Sequence, residues 1–228
     1  MFFLLMTYFT SVTLPPPESY TAYKAERPIV VDGDLSEWEN VPYVEVNYDI
    51  EKMKRVDNIK TFARVLWDKE NLYISFQCKD DEPWATITKR DGFLWEEEAV
   101  EVFIDPKGDG ARYVELGVNP LNAVDDILII RKPKYRWLLN WNLFDLKTAV
   151  KKKKDGWDVE IAIPWWNFLS FEVPLPPVEQ TWRIQLCRVE RPDHKTPIWL
   201  SWSPTYQTFH KPETFGKVFF SSRQDAHP

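Results

Sequence analysis

Apolar and polar residues alternate with a period of two along most of this chain, the spacing of strands with one buried face. Residues 71–79 alternate most cleanly, with Leu72, Ile74, Phe76 and Cys78 inward and Tyr73, Ser75, Gln77 and Lys79 outward. Residues 60–67 precede them across Asp68-Lys69-Glu70-Asn71, which predicts a hairpin. A second hairpin is expected where residues 98–104 put Val100, Val102 and Ile104 on one face, with Glu101 and Phe103 on the other. After the turn at residues 105–110, residues 112–119 return with Val114, Leu116 and Val118 inward, leaving Tyr113, Glu115 and Asn119 opposite. Residues 146–152 and 157–163 form a third hairpin around Lys154-Asp155-Gly156. A short β-branched run at 28–31 closes at Asp32-Gly33-Asp34, and residues 182–189 and 218–221 are the last strands. The one helical turn expected is at 164–169, where proline suits the first position. Many short strands and little helix predict an all-β, antiparallel β-sandwich of jelly-roll or immunoglobulin-like build.

Residues 1–14 break this pattern. They are almost wholly apolar but shorter than the roughly 20 residues a membrane helix needs. They suit the apolar part of a secretory signal, although no basic residue stands before Lys24. A secreted or periplasmic location is the expectation, beside a disordered or misassigned start. Pro15-Pro16-Pro17 ends the segment, so residues 1–19 read as leader and link, 20–221 as a single folded unit and 222–228 as a tail.

Composition narrows the chemistry. The 228 residues carry a net charge of −6, which argues against nucleic acid or an anionic membrane surface as partner. His194, His210 and His227 share no ligand spacing, and Cys78 and Cys187 are too few for a Cys₄ zinc site. The two thiols read as independent. Beyond the leader the only methionine is Met53, which sets haem ligation aside, and seven glycines supply no phosphate loop. The Lys151–Lys154 run reads as a solvated hairpin tip.

What remains is acidic and aromatic. Glu96, Glu97 and Glu98 read as an exposed lead-in to a strand, whereas Glu101 lies mid-strand, opposite the valines. Trp95 stands six residues before it. A sugar ring offers an apolar C–H face and a rim of hydroxyls, and is therefore met by a flat aromatic surface beside a hydrogen-bonding group. Trp38, Trp67, Trp157 and Trp182 are expected in the core. Two alternatives stand beside sugar binding: a glycoside-active enzyme using Glu101 and Glu115 as paired carboxyls, and a protein-interaction sandwich.

Four stretches resemble the family 9 carbohydrate-binding modules, β-sandwich domains attached to xylanases and also found alone. They are residues 28–35 with Trp38; Ala63-Arg64-Val65-Leu66-Trp67-Asp68, running on to Leu72-Tyr73-Ile74 and Lys79-Asp80; residues 95–105, beginning Trp95-Glu96-Glu97-Glu98; and Leu200-Ser201-Trp202-Ser203-Pro204 with Pro212-Glu213-Thr214-Phe215-Gly216. The resemblance implies non-catalytic binding of a saccharide or polysaccharide, in a slot where two aromatic rings sandwich a terminal sugar, often at a reducing end. Trp95 falls on the first aromatic position, Glu101 on the acidic one, and Phe209 where the family has a second tryptophan. Tyr113, Glu115, Asn119 and Arg188 are the expected neighbours, with a buried ion-paired role open for Arg188. The resemblance further implies a structural calcium, Asp80 matching one acidic ligand, and glycan-degrading enzymes as partners.

Overall fold

A computed structural model describes residues 13–224. The leader up to residue 12, His227 and the last four residues of the expected tail lie outside the described residues. Among the described residues fifteen strands form one curled sheet. In chain order they are β1 (Ser19–Lys24), β2 (Val44–Glu45), β3 (Tyr48–Asp49), β4 (Lys54–Arg55), β5 (Thr61–Trp67), β6 (Asn71–Lys79), β7 (Ala99–Asp105) and β8 (Arg112–Val118). There follow β9 (Val124–Ile130), β10 (Arg136–Leu138), β11 (Lys147–Lys153), β12 (Gly156–Pro164), β13 (Thr181–Glu190), β14 (Ile198–Ser201) and β15 (Gly216–Ser221). The sheet runs β10-β9-β8-β7-β13-β15-β1-β5-β6-β12-β11.

Each of the three hairpins forms where the alternation predicts it: β5 with β6, β7 with β8 and β11 with β12. The turn region predicted helical is a 3₁₀ segment, Trp165–Phe171. In one respect the antiparallel expectation is corrected. Strand β1 runs parallel to both β15 and β5, so the sheet is mixed.

The two halves of the sheet fold over a core filled from both sides. Val100, Val102 and Ile104 of β7 and Val114, Leu116 and Val118 of β8 meet Leu72, Ile74, Phe76 and Cys78 of β6 and the indoles of Trp67, Trp157 and Trp182. Trp38 is fully buried, as expected, but in a separate layer with Leu66 and Tyr73. Its indole donates to Glu160 Oε1 at 2.7 Å, and the other oxygen of Glu160 accepts from the backbone of Asp32 and Gly33. That loop covers the supposed outer face of β6, which explains why Tyr73 and Ser75 are buried rather than exposed. Both cysteines are free and buried. Cys78 belongs to the main core, and Cys187 to a second cluster on the far side of β7 and β13.

That second cluster positions the site. Phe103, Tyr113, Ile127, Ile129, Cys187 and Val189 point away from the main core, and Tyr48, Ile50, Phe209 and Phe215 are laid over them. The sheet β9-β8-β7-β13 is therefore buried on both faces, and what covers its outer face forms a cavity.

Candidate functional site

The cavity holds about 300 Å³ and is lined by Ile50, Trp95, Glu101, Glu115, Trp137, Trp199 and the run Gln207–His210. Four of the residues expected from the sequence meet there: Trp95, Glu101, Glu115 and Phe209.

Trp95 sits in a 3₁₀ turn, Leu94–Glu96, just before β7. Leu94 anchors the turn by burial against Ala99 and Ala123. The carboxylate of Glu97 accepts from the backbone of Thr86 and Ile87, and Arg191 donates to the Trp95 carbonyl at 3.0 Å. Phe93 backs the indole at 5.0 Å between ring centroids. Glu97 and Glu98 are consequently buried, and the exposed lead-in expected for residues 96–98 holds only at Glu96.

The opposite rim is a loop. Gln207 N–H donates to the Ile50 carbonyl and His210 N–H to Thr208 Oγ1, so the loop is pinned to the segment after β3 and to itself. Phe209 is only 5% exposed, wedged against Phe103 and edge-on to Trp199 at 5.7 Å. It forms floor rather than wall. The sequence reading missed the exposed aromatic on this side: Trp137, 40% exposed on β10, whose ring lies 4.7 Å from that of His210. Trp199 of β14, His210 and Asp125 were also missed. An exposed three-residue edge strand gives too short an alternation to be read.

The base of the cavity is acidic. Cross-strand pairing aligns Cys187, Glu101, Gly117 and Asp125 in one row. Glu115 lies in the next, opposite Phe103. Gly117 leaves room for this packing, because a Cβ there would fall 2.0 Å from Asp125 Oδ1 and the carboxyl would have to move. Burial pushes the carboxyl of Glu101 up to about 8, with the charge of Asp125 adding to it. Burial followed by repulsion from Asp126 raises Asp125 to about 7, and Glu115 is raised well above the usual range by burial and by Glu101. His210 is held neutral, since burial lowers it to about 4. The Tyr113 hydroxyl is 3.1 Å from His210 Nδ1.

Three expected neighbours are not brought to the lining. Tyr113 is buried beneath it and acts on the cavity through His210. Asn119 caps the turn after β8, donating to the Ile87 carbonyl and accepting from the backbone of Leu121 and Ala123. Arg188 shares the parity of Leu186 and so faces the main core, where it takes the ion-paired role left open for it. Its guanidinium bonds Thr61, the Lys79 carbonyl, Asp80 and Glu190.

Around Arg188 lies a second acidic group. Asp80, Glu98 and Glu190 have carboxylate oxygens within 4.8 Å of one another. Burial, then the charge of Glu190, raises Glu98 to about 8, and burial raises Glu190 to about 7 against the lowering effect of Arg188. Three carboxyl groups converge on one guanidinium, and each oxygen-rich side chain is repelled by its neighbours. Hard oxygen donors crowded in this way fit a calcium ion, which would favour their ionised forms. The stretch 89–94 lies beside the first site: Arg90 pairs with Asp126 at 2.6 Å, and Phe93 supports Trp95.

Comparison with known proteins identifies the family and the fold. The sequence profile described as "Carbohydrate family 9 binding domain-like" matches residues 31–223. The chain is 27% identical over 196 residues to endo-1,4-beta-xylanase A of Thermotoga neapolitana, which covers 83% of this chain and 17% of that enzyme. With the Thermotoga maritima enzyme the identity is 28%, covering 83% and 16%. The chain thus spans about a sixth of the length of these relatives. A family 9 carbohydrate-binding module from Caldicellulosiruptor kristjanssonii, solved with cellotriose, superposes with a TM-score of 0.67 at 16% identity, covering 92% of this chain and 97% of that one. The same module with glucose gives 0.67 and 16%, over 92% and 100%.

Proposed function

This chain belongs to the carbohydrate family 9 binding domain-like family, whose modules bind carbohydrate without catalysis, and on that premise we propose that the cavity between Trp95 and the 207–210 loop receives one unit of a saccharide chain. The observation that carries the reading is the meeting of Trp95, Glu101 and Glu115 in one cavity with an aromatic floor at Phe209. Trp95 stacks on the ring's C–H face, while Glu101 and Glu115 engage its rim. The cellotriose and glucose bound by the Caldicellulosiruptor module support a saccharide of this general kind. Stacking of a nucleobase on an aromatic side chain is worth about 1–3 kcal/mol, and the same range is taken here for a sugar ring by analogy. Trp95→Ala is therefore expected to weaken binding by roughly 5- to 150-fold or to abolish it, with the fold intact. Calorimetry against glucose and cello-oligosaccharides tests this, and unchanged affinity in the variant would reject it.

Two subsidiary proposals accompany this reading. Asp80, Glu98 and Glu190 hold a structural calcium, so millimolar calcium should raise the unfolding temperature and a chelator reverse it; no shift with either would reject the site. Since the relatives are xylanases of which this chain matches one part, we propose that the module acts beside a glycan-degrading enzyme, outside the cytoplasm.

A further inference from the structure

The lining of the saccharide cavity has an unusual charge balance. It contains two carboxylates, Glu101 and Glu115, and neither an arginine nor a lysine. Both are only 4% exposed. Among the described residues Glu115 Oε2 has no hydrogen-bond partner, nor does Oδ1 of Asp125, which lies over Gly117 in the row of Glu101. The nearest nitrogen to Glu115 Oε2 with any basic character is His210 Nε2, at 3.9 Å, beyond hydrogen-bond reach. The basic residue expected here, Arg188, is committed to the acids on the other face of β13.

Burial without a basic partner keeps both carboxyls protonated near neutral pH, and a cation that lets them ionise in place recovers part of that cost. A neutral sugar recovers it through hydroxyl donors alone. An ammonium recovers more, since a charge-assisted hydrogen bond is about twice as strong as a neutral one. The walls select in the same direction. Trp95, Trp137 and Trp199 all line the cavity, and indole faces attract cations most strongly of the aromatic side chains. Indoles around base-free carboxylates are a setting for a positively charged ring substituent.

Taking the cavity as the saccharide site, we propose that its preferred unit is an amino sugar, the ammonium held by Glu101 and Glu115 and the ring flanked by Trp95 and Trp137.

Three β-1,4-linked trimers that differ at C2 separate the possibilities. Glucosamine carries an ammonium there, cellotriose a hydroxyl and N-acetylglucosamine a neutral amide. Calorimetry with the full chain at neutral pH and low salt is expected to give the glucosamine trimer an affinity at least tenfold above that of cellotriose. The advantage should shrink with added salt as screening grows. Glu115→Gln should bring the ratio close to one, and Glu101→Gln reduce it, with thermal unfolding checked for each. If cellotriose binds as tightly as the glucosamine trimer, the amino-sugar assignment falls and saccharide binding stands. A preference unaltered in both variants would overturn the role given to the carboxylates. If none of the three trimers binds, the proposed function falls with it.

Discussion

Glu98 and Glu101 are three residues apart, yet they belong to two acidic clusters that the fold treats in opposite ways. Glu98 joins Asp80 and Glu190 at the end of the main core, and there Arg188 is folded in among them. Glu101 joins Glu115 and Asp125 on the outer face of β7-β8-β9, where neither an arginine nor a lysine lines the cavity. Both clusters are buried, and both hold carboxyls with raised proton affinity. Burial and perturbed titration therefore do not separate a structural cluster from a binding one. The presence or absence of an internal counter-ion does.

The comparison can be broken most forcefully at Arg188. Arg188→Met keeps much of the volume but strands Asp80 and Glu190, and removing one partner of a buried pair costs about 3–5 kcal/mol. Denaturant unfolding should register that loss, and a change below 1 kcal/mol would mean that the arginine is dispensable to the cluster. Gly117→Ala should be milder. The new Cβ must displace the Asp125 carboxyl, an overpacking change of about 1–3 kcal/mol; a neutral outcome would show that Asp125 swings away freely. The smallest effect is expected from pH. Glu101 and Asp125 have proton affinities above those of the unfolded chain, so their favourable contribution is complete at acid pH. It is lost as pH rises from the ordinary carboxylate range through about 7 and 8. The melting temperature of the ligand-free protein should fall over that window, and Glu101→Gln should flatten the fall by about 2–4 °C for each kcal/mol removed. An unchanged slope would place the titration elsewhere.

Much of this was legible in the sequence, and the rest was hidden for identifiable reasons. Alternation located the three hairpins because each has one face in the main core, and it put Glu101 and Glu115 on the face opposite the valines. The same rule misjudged Tyr73, Ser75 and Glu98, since it reports which residues share a face and not what later covers that face. Strand β9 is absent from the alternation reading because the adjacent acids Asp125-Asp126 interrupt its period, although Asp126 is satisfied by Arg90 and the Leu143 backbone. Trp95 was recognisable by its place before Glu101. Trp137 was not, as its part in the cavity depends on the pairing of β10 with β9.

The parallel pairing of β1 with β15 carries a consequence for synthesis. Ser19 to Tyr23 align with Lys217 to Ser221, almost the full described length of the chain away. At about 5–20 residues per second, roughly 10–40 s separate the emergence of these two strands from a ribosome. Throughout that interval the edge of β1 that will meet β15 presents unpaired backbone groups, even once its end has met β5, and the sheet cannot close. The polar composition of β1, Ser-Tyr-Thr-Ala-Tyr-Lys, suits a strand that must wait longest for its partner.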